Sequence, residues 1–222
     1  MISFERTPWL ESLPQAPLRA LGVFFCLLLL PVLLMKHGVP ELYITPATMM
    51  TALLFCIGTA PQLGLREIKW RDVGIVLIFY LIMMIVISCL SPLWELLLDS
   101  LGVDLAKKQD VLLDIANASG KMLVFLFVCT CLITPFVEEV LFRRIIYGYF
   151  ATYMPAVSAA LITSLLFSMA HFFFYGAVSL FIMGLAFNLI YILRRNLWLA
   201  VMLHSLVNIM AFVFAVFSIG DR

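Results

Sequence analysis

Glu138-Glu139-x-x-x-Arg143, Phe167-x-x-x-His171 and His204-x-x-x-Asn208 place carboxylates, two imidazoles and a carboxamide inside stretches that otherwise read as membrane-buried. Together these groups can split an amide bond with water, since they include a base, a proton carrier and hydrogen-bond donors. A charged side chain at the centre of a bilayer costs roughly 2.5–3.5 kcal/mol on insertion scales, and ionisable residues there commonly mark functional sites. Adjacent residues on a helix diverge by about 100°, so Glu138 and Glu139 cannot both face one point, whereas Glu139 and Arg143 are four apart and can pair on one face. Glu139 with Arg143 therefore reads as an internal ion pair, which leaves Glu138 to face a cavity as a base. Pro135, three residues before Glu138, cannot donate a backbone hydrogen bond and is expected to kink the helix and open room for water. His204 and Asn208, also four apart, lie on one helical face and are expected to present their groups to the same point.

The elements that position these residues are membrane spans. Hydrophobic residues make up 64% of the chain and charged ones 12%, against about 25% charged in soluble domains, and the mean hydropathy is +1.12. The expected fold class is all-α, a polytopic transmembrane helix bundle. At ~20 residues per span plus loops, the 222 residues hold about seven helices. The expected spans are Leu18–Met35, Leu42–Pro61, Val73–Leu93, Met122–Tyr149, Pro155–Phe174, Ala177–Leu193 and Leu197–Ile219. They divide into an N-terminal part, residues 1–120, and a catalytic core, residues 121–222. Between about Pro92 and Lys121, apolar residues recur at three- to four-residue spacing among acidic and basic ones, which predicts an amphipathic linker helix lying at the interface.

Lys and Arg in the loops fall nine on one side against five on the other, which predicts a cytoplasmic N-terminus. Trp70, Trp94 and Trp198 lie at expected span ends and read as interfacial anchors. The five cysteines are odd in number and lie in apolar runs, so they read as packing residues. Asn188 reads as helix–helix glue. A net charge of +1, without any long basic run, sets nucleic-acid partners aside. The expected partners are the lipid bilayer and a membrane protein or peptide substrate.

Depth along the helices tests whether the polar residues can meet. Glu138 lies ~25 Å along its helix from Lys121, and His171 ~24 Å along the following, oppositely directed helix from Pro155. They meet only if the fourth span runs on past Arg144 toward Tyr149, which the apolar Ile145-Ile146-Tyr147 permits.

In this order on successive hydrophobic segments, the three motifs resemble those of the CAAX-processing and bacteriocin-processing (CPBP, or Abi) family of intramembrane proteases. The resemblance covers about Lys121 to Phe217. It implies an endopeptidase in which Glu138 activates water, His171 helps hold that water, and His204 with Asn208 donate to the oxyanion. Glu139, Arg143 and Phe167 are implied as supporting structure. The CAAX branch of the family acts on prenylated proteins, and other members act on peptides or membrane proteins. The chain is short for the family, with seven expected spans where eukaryotic relatives have eight. The expected cofactor is none, although Glu138, His171 and His204 could supply three ligands and leave the open position that a catalytic zinc needs. A non-enzymatic immunity or scaffold protein, or a proton-coupled transporter, would use the same buried polar residues differently; a proton relay would tolerate Asn208→Ala.

Overall fold

The computed structural model describes residues 22, 25–39, 41–57, 64–103 and 110–219. Among them every regular element is helical. We number the helices α1 (Phe25–Leu29 in π form, continued by Leu30–Lys36), α2 (Glu41–Ile57), α3 (Trp70–Ser100), α4 (Asp110–Asn117), α5 (Gly120–Tyr153), α6 (Ala156–Ala170), α7 (Ala177–Arg194) and α8 (Leu197–Ile219). Helices α3, α5, α7 and α8 are long and apolar enough to cross a membrane, and α6 is apolar but shorter. The chain is an integral membrane protein. Of the first two expected spans, residues 18–21, 23–24 and 58–61 lie outside the described residues.

Helix α3 differs from expectation at its end. It continues through Pro92 and past Leu93 to Ser100, so the first turns of the expected linker belong to it. A proline inside a helix costs ~3 kcal/mol through a lost hydrogen bond and a clash. Contacts on both sides of it offset that cost: Ser91 Oγ lies 2.6 Å from Ser179 Oγ of α7, and Trp94 Nε1 donates to the Phe174 carbonyl at 3.1 Å. The remainder of the linker forms α4, with residues 104–109 outside the described residues. Helix α4 packs on α8, and Ile115 is buried with Leu126, Cys131, Phe212 and Ala215. Trp70 is almost wholly exposed, as an anchor would be, whereas Trp198 packs on the Phe136 ring at 5.8 Å.

The core lies where α7 and α8 meet α3, α5 and α6. Helices α6 and α7 approach so closely at Gly184 that an added Cβ would stand 3.0 Å from Ser164 Cα. Asn188 completes this seam, donating to Ser164 Oγ and to the Ala160 carbonyl, which is the helix-joining role its position suggests. Gly184→Val should destabilise the bundle by about 1–3 kcal/mol through overpacking. Unfolding midpoints of the two proteins in the same detergent would check this, and an unchanged midpoint would refute it.

One end of the bundle collects the basic residues. Arg194 pairs with Asp72 at 2.6 Å, and Asp72 also accepts from the Lys69 backbone N–H. Asn196 Oδ1 accepts from the Arg66 and Trp198 backbone N–H groups, so one side chain caps α8 and fastens the segment before α3 to it. These bonds hold the N-terminal ends of α3 and α8 at a common level.

Candidate active site

Helix α5 carries both glutamates, and it is not uniformly α-helical. Thr134–Glu139 is an α-helical run between two π-helical stretches, Cys129–Ile133 and Val140–Ile146. Such π-bulges are rare and occur frequently at functional sites. As the depth argument requires, α5 continues beyond Arg144, to Tyr153. Glu138 and His171 are thereby brought to one level, with Glu138 Oε2 3.9 Å from His171 Nε2.

Glu139 and Arg143 form the expected ion pair. Arg143 Nε donates to Glu139 Oε2 at 2.7 Å and Nη2 donates to Oε1 at 3.2 Å, with both side chains fully buried. The guanidinium is packed among the rings of Phe142, Phe167 and Phe187, whose centroids lie 5.8, 5.0 and 5.5 Å from it. The negative faces of these rings attract a cation that water cannot reach.

His204 of α8 joins the two glutamates. Its Nδ1 lies 2.9 Å from Glu139 Oε1, and its Nε2 lies 3.9 Å from Glu138 Oε2. The ~100° divergence of adjacent helical residues is spanned by the two edges of one imidazole. Phe187 stacks on this ring at 4.7 Å, with the planes 18° apart, and Phe167 meets it edge-on at 5.8 Å. His171 follows the end of α6, and Phe172 at φ 49° turns the chain away immediately after it. Its Nδ1 lies 2.8 Å from the Phe167 carbonyl. A carbonyl can only accept, so the network assigns the hydrogen to Nδ1 and leaves Nε2 facing Glu138.

Glu138 itself is the unengaged member. Its Oε2 is buried and has no hydrogen-bond partner, yet its side chain keeps 12% of its surface exposed, where Glu139 keeps none. One Asn208 hydrogen is already engaged: its Nδ2 donates to the Thr130 carbonyl in the first π stretch, at 2.8 Å. The second Nδ2 hydrogen and Oδ1 remain for other partners. Sequence reasoning missed Phe187 and Thr130. Nothing in their spacing separates them from ordinary packing residues, and they become visible only once α7 and the π stretch are in place.

Beside this cluster an apolar groove of about 630 Å3 opens between α3, α5 and α8. Val76, Leu77, Ile133, Phe136 and Trp198 line it, together with Ser205, the neighbour of His204.

The fit of a metal can be tested on the ligand spacing. Adjacent ligands of a tetrahedral zinc at 2.0–2.1 Å stand about 3.3–3.4 Å apart. Glu138 Oε2 stands 3.9 Å from each imidazole Nε2. Among the described residues, no group of three or more His, Cys, Asp or Glu side chains is arranged to hold a metal ion. The donors as placed do not close a zinc site.

Residues 120–210, which run from the start of α5 into α8, match the family model described as type II CAAX prenyl endopeptidase Rce1-like. Over this segment the chain is similar to the CAAX-protease family. No curated protein and no solved structure gives a match. The matched segment contains Glu138, Glu139, Arg143, Phe167, His171, His204 and Asn208, whereas α1 to α4 precede it. A peptidase family agrees with the chemistry of the cluster, in which a carboxylate and imidazoles face one another across a gap that a single water can fill.

Proposed function

We propose that this chain is an intramembrane glutamate endopeptidase that hydrolyses a peptide bond in a membrane-associated protein or peptide, without a metal. The observation that carries the reading is the gap around Glu138 Oε2, 3.9 Å from the Nε2 atoms of both His171 and His204. That separation is too long for a direct hydrogen bond and suits a bridging water at about 2.8 Å from each side.

With His171 Nδ1–H committed to the Phe167 carbonyl, its Nε2 is an acceptor in the neutral ring. The Glu138 carboxylate is also an acceptor. A water between them donates one hydrogen to each and turns an oxygen lone pair outward, toward the carbon of a scissile carbonyl. As the C–O bond forms, Glu138 takes the proton and the carbonyl π electrons move to oxygen. Glu138 then returns the proton to the leaving amine as the C–N bond breaks, which regenerates the carboxylate.

The tetrahedral oxyanion needs donors. Glu139 accepts from Arg143, so His204 Nδ1 is the donor in its bond to Glu139, and its Nε2 bears a hydrogen in the imidazolium form. In that form Glu138, Glu139, Arg143 and His204 together carry no net charge, which suits a low-dielectric site. Asn208 supplies its second Nδ2 hydrogen. A preorganised donor of this kind is worth a factor of about 10²–10³ in kcat.

The apolar groove beside His204 supports a substrate with an apolar anchor, such as a transmembrane helix or a prenyl chain. The basic end of the bundle, with Arg66, Lys69, Arg71, Arg194 and Arg195 exposed, supports a cytoplasmic orientation for that end. His204 lies about 10 Å along α8 from Leu197 at that end, within reach of a chain approaching from there.

The test is cleavage by the purified protein in nanodiscs of a mixed peptide library that includes one CAAX peptide with and without farnesyl, read by mass spectrometry. Glu138→Ala, His171→Ala, His204→Ala and Asn208→Ala are assayed alongside, with a chelator arm. We expect cutting that Glu138→Ala, His171→Ala and His204→Ala lose, that Asn208→Ala lowers by about 10²–10³, and that a chelator leaves intact. Cutting that survives Glu138→Ala would sink the reading, chelator sensitivity would overturn its metal-free form, and a preference between the paired CAAX peptides would identify the anchor.

A further inference from the structure

We infer that Pro135 is a positioning residue for Asn208, acting through a backbone carbonyl that the π stretch leaves vacant. In a helix the Thr130 carbonyl would accept from the N–H of residue 134 in α register or of residue 135 in π register. Both donors are removed. The Thr134 N–H is spent on the Cys129 carbonyl, five residues back. Residue 135 is proline and has no N–H. The Thr130 carbonyl therefore lacks a helical donor inside an apolar bundle, where an unsatisfied carbonyl is costly. Asn208 Nδ2 fills it at 2.8 Å from the facing helix α8.

The consequence is directional. A free asparagine can rotate its carboxamide, but one held by a fixed carbonyl keeps Oδ1 and the second Nδ2 hydrogen in set directions. The proline two residues into the catalytic turn of α5 thus does more than bend the helix, because it reserves an acceptor that sets the Asn208 rotamer. This rests on the reading of Asn208 as an oxyanion donor, one helical turn beyond His204 on α8. The bond to Thr130 is a separate matter and can be tested without any activity.

Pro135→Ala restores an N–H that competes with Asn208 for the Thr130 carbonyl. The chain holds four asparagines, Asn117, Asn188, Asn196 and Asn208, so selective 15N-asparagine labelling in nanodiscs gives four side-chain amide signals, with Asn208 assigned by its loss in Asn208→Ala. We expect Pro135→Ala to move the Asn208 signal and leave that of Asn188 in place. In the peptide assay, kcat should fall about tenfold or more with KM unchanged, while the unfolding midpoint holds or rises because an interior proline has been removed. In the Asn208→Ala background, Pro135→Ala should have no further effect on kcat.

An unmoved Asn208 signal, or an equal loss of kcat with and without Asn208, would overturn the inference. If Pro135→Ala does not fold, hydrogen exchange of the unaltered protein decides, since one of the two Asn208 side-chain hydrogens must then be protected and equal, fast exchange of both refutes the bond. If no peptide is cut by the unaltered protein, the proposed function fails, and the Asn208 signal alone decides whether the proline reserves this acceptor.

Discussion

Glu138→Gln should lower kcat by about 10²–10⁴, the range for loss of a positioned general base, with little change in stability. The two halves of this expectation have separate structural causes. Gln keeps the volume of Glu and still offers a carbonyl oxygen, but it cannot take a proton from water at neutral pH. The Oε2 atom of Glu138 makes no hydrogen bond in the protein, so its replacement breaks no direct contact there. Most buried carboxylates behave the other way, because they are held by partners whose loss destabilises the fold. A cleavage time course and an unfolding curve on the same preparation would check both halves. Activity within a few-fold of the unaltered protein would reject Glu138 as the base, whereas a large loss of stability would mean that Glu138 has a structural partner.

Much of this site was legible in the sequence, because the helical period is a strong constraint. Spacing of four gave the Glu139–Arg143 pair directly, and depth counting required the fourth span to pass Arg144 before Glu138 and His171 could meet. Helix α5 does run on, to Tyr153, and the two side chains do face each other. What could not be read depends on packing across helices. Periodicity assumes one uniform helix, and α5 contains two π stretches that no propensity announces. The sequence alone points to Pro135 as a source of a kink, while its effect on the Thr130 carbonyl depends on the Thr134 N–H being engaged elsewhere. Spacing placed His204 and Asn208 on one face but could not say that each would be met by a different acceptor from α5. The expected third span ends at Leu93, whereas α3 runs on to Ser100. Ser179 and Phe174, distant in sequence, supply the contacts that let α3 continue. Phe187 was one phenylalanine among 19, and only its stacking on His204 distinguishes it.

The largest effect on stability is expected from Arg143→Ala. Arg143 and Glu139 are both fully buried, and the guanidinium makes two hydrogen bonds to the carboxylate. Desolvation sets the sign and size of the effect. Removing one partner of a buried pair leaves an uncompensated charge and costs about 3–5 kcal/mol, whereas replacing both with apolar or neutral groups of similar volume is often neutral or stabilising. Arg143→Ala also removes the side chain that Phe142, Phe167 and Phe187 surround, which adds a cavity to the loss of charge. The pair Glu139→Gln with Arg143→Met should therefore recover much of the stability that Arg143→Ala loses. It should not recover activity. Glu139 is the acceptor that orients His204 Nδ1, and a neutral amide neither fixes the ring as firmly nor balances the charge of an imidazolium beside Glu138. Unfolding midpoints and kcat for Arg143→Ala and for the double variant separate the two roles. A stable Arg143→Ala would refute the ion pair as a structural element. A double variant that is both stable and fully active would show that His204 needs no carboxylate behind it, and the charge-balanced oxyanion site proposed above would have to be abandoned.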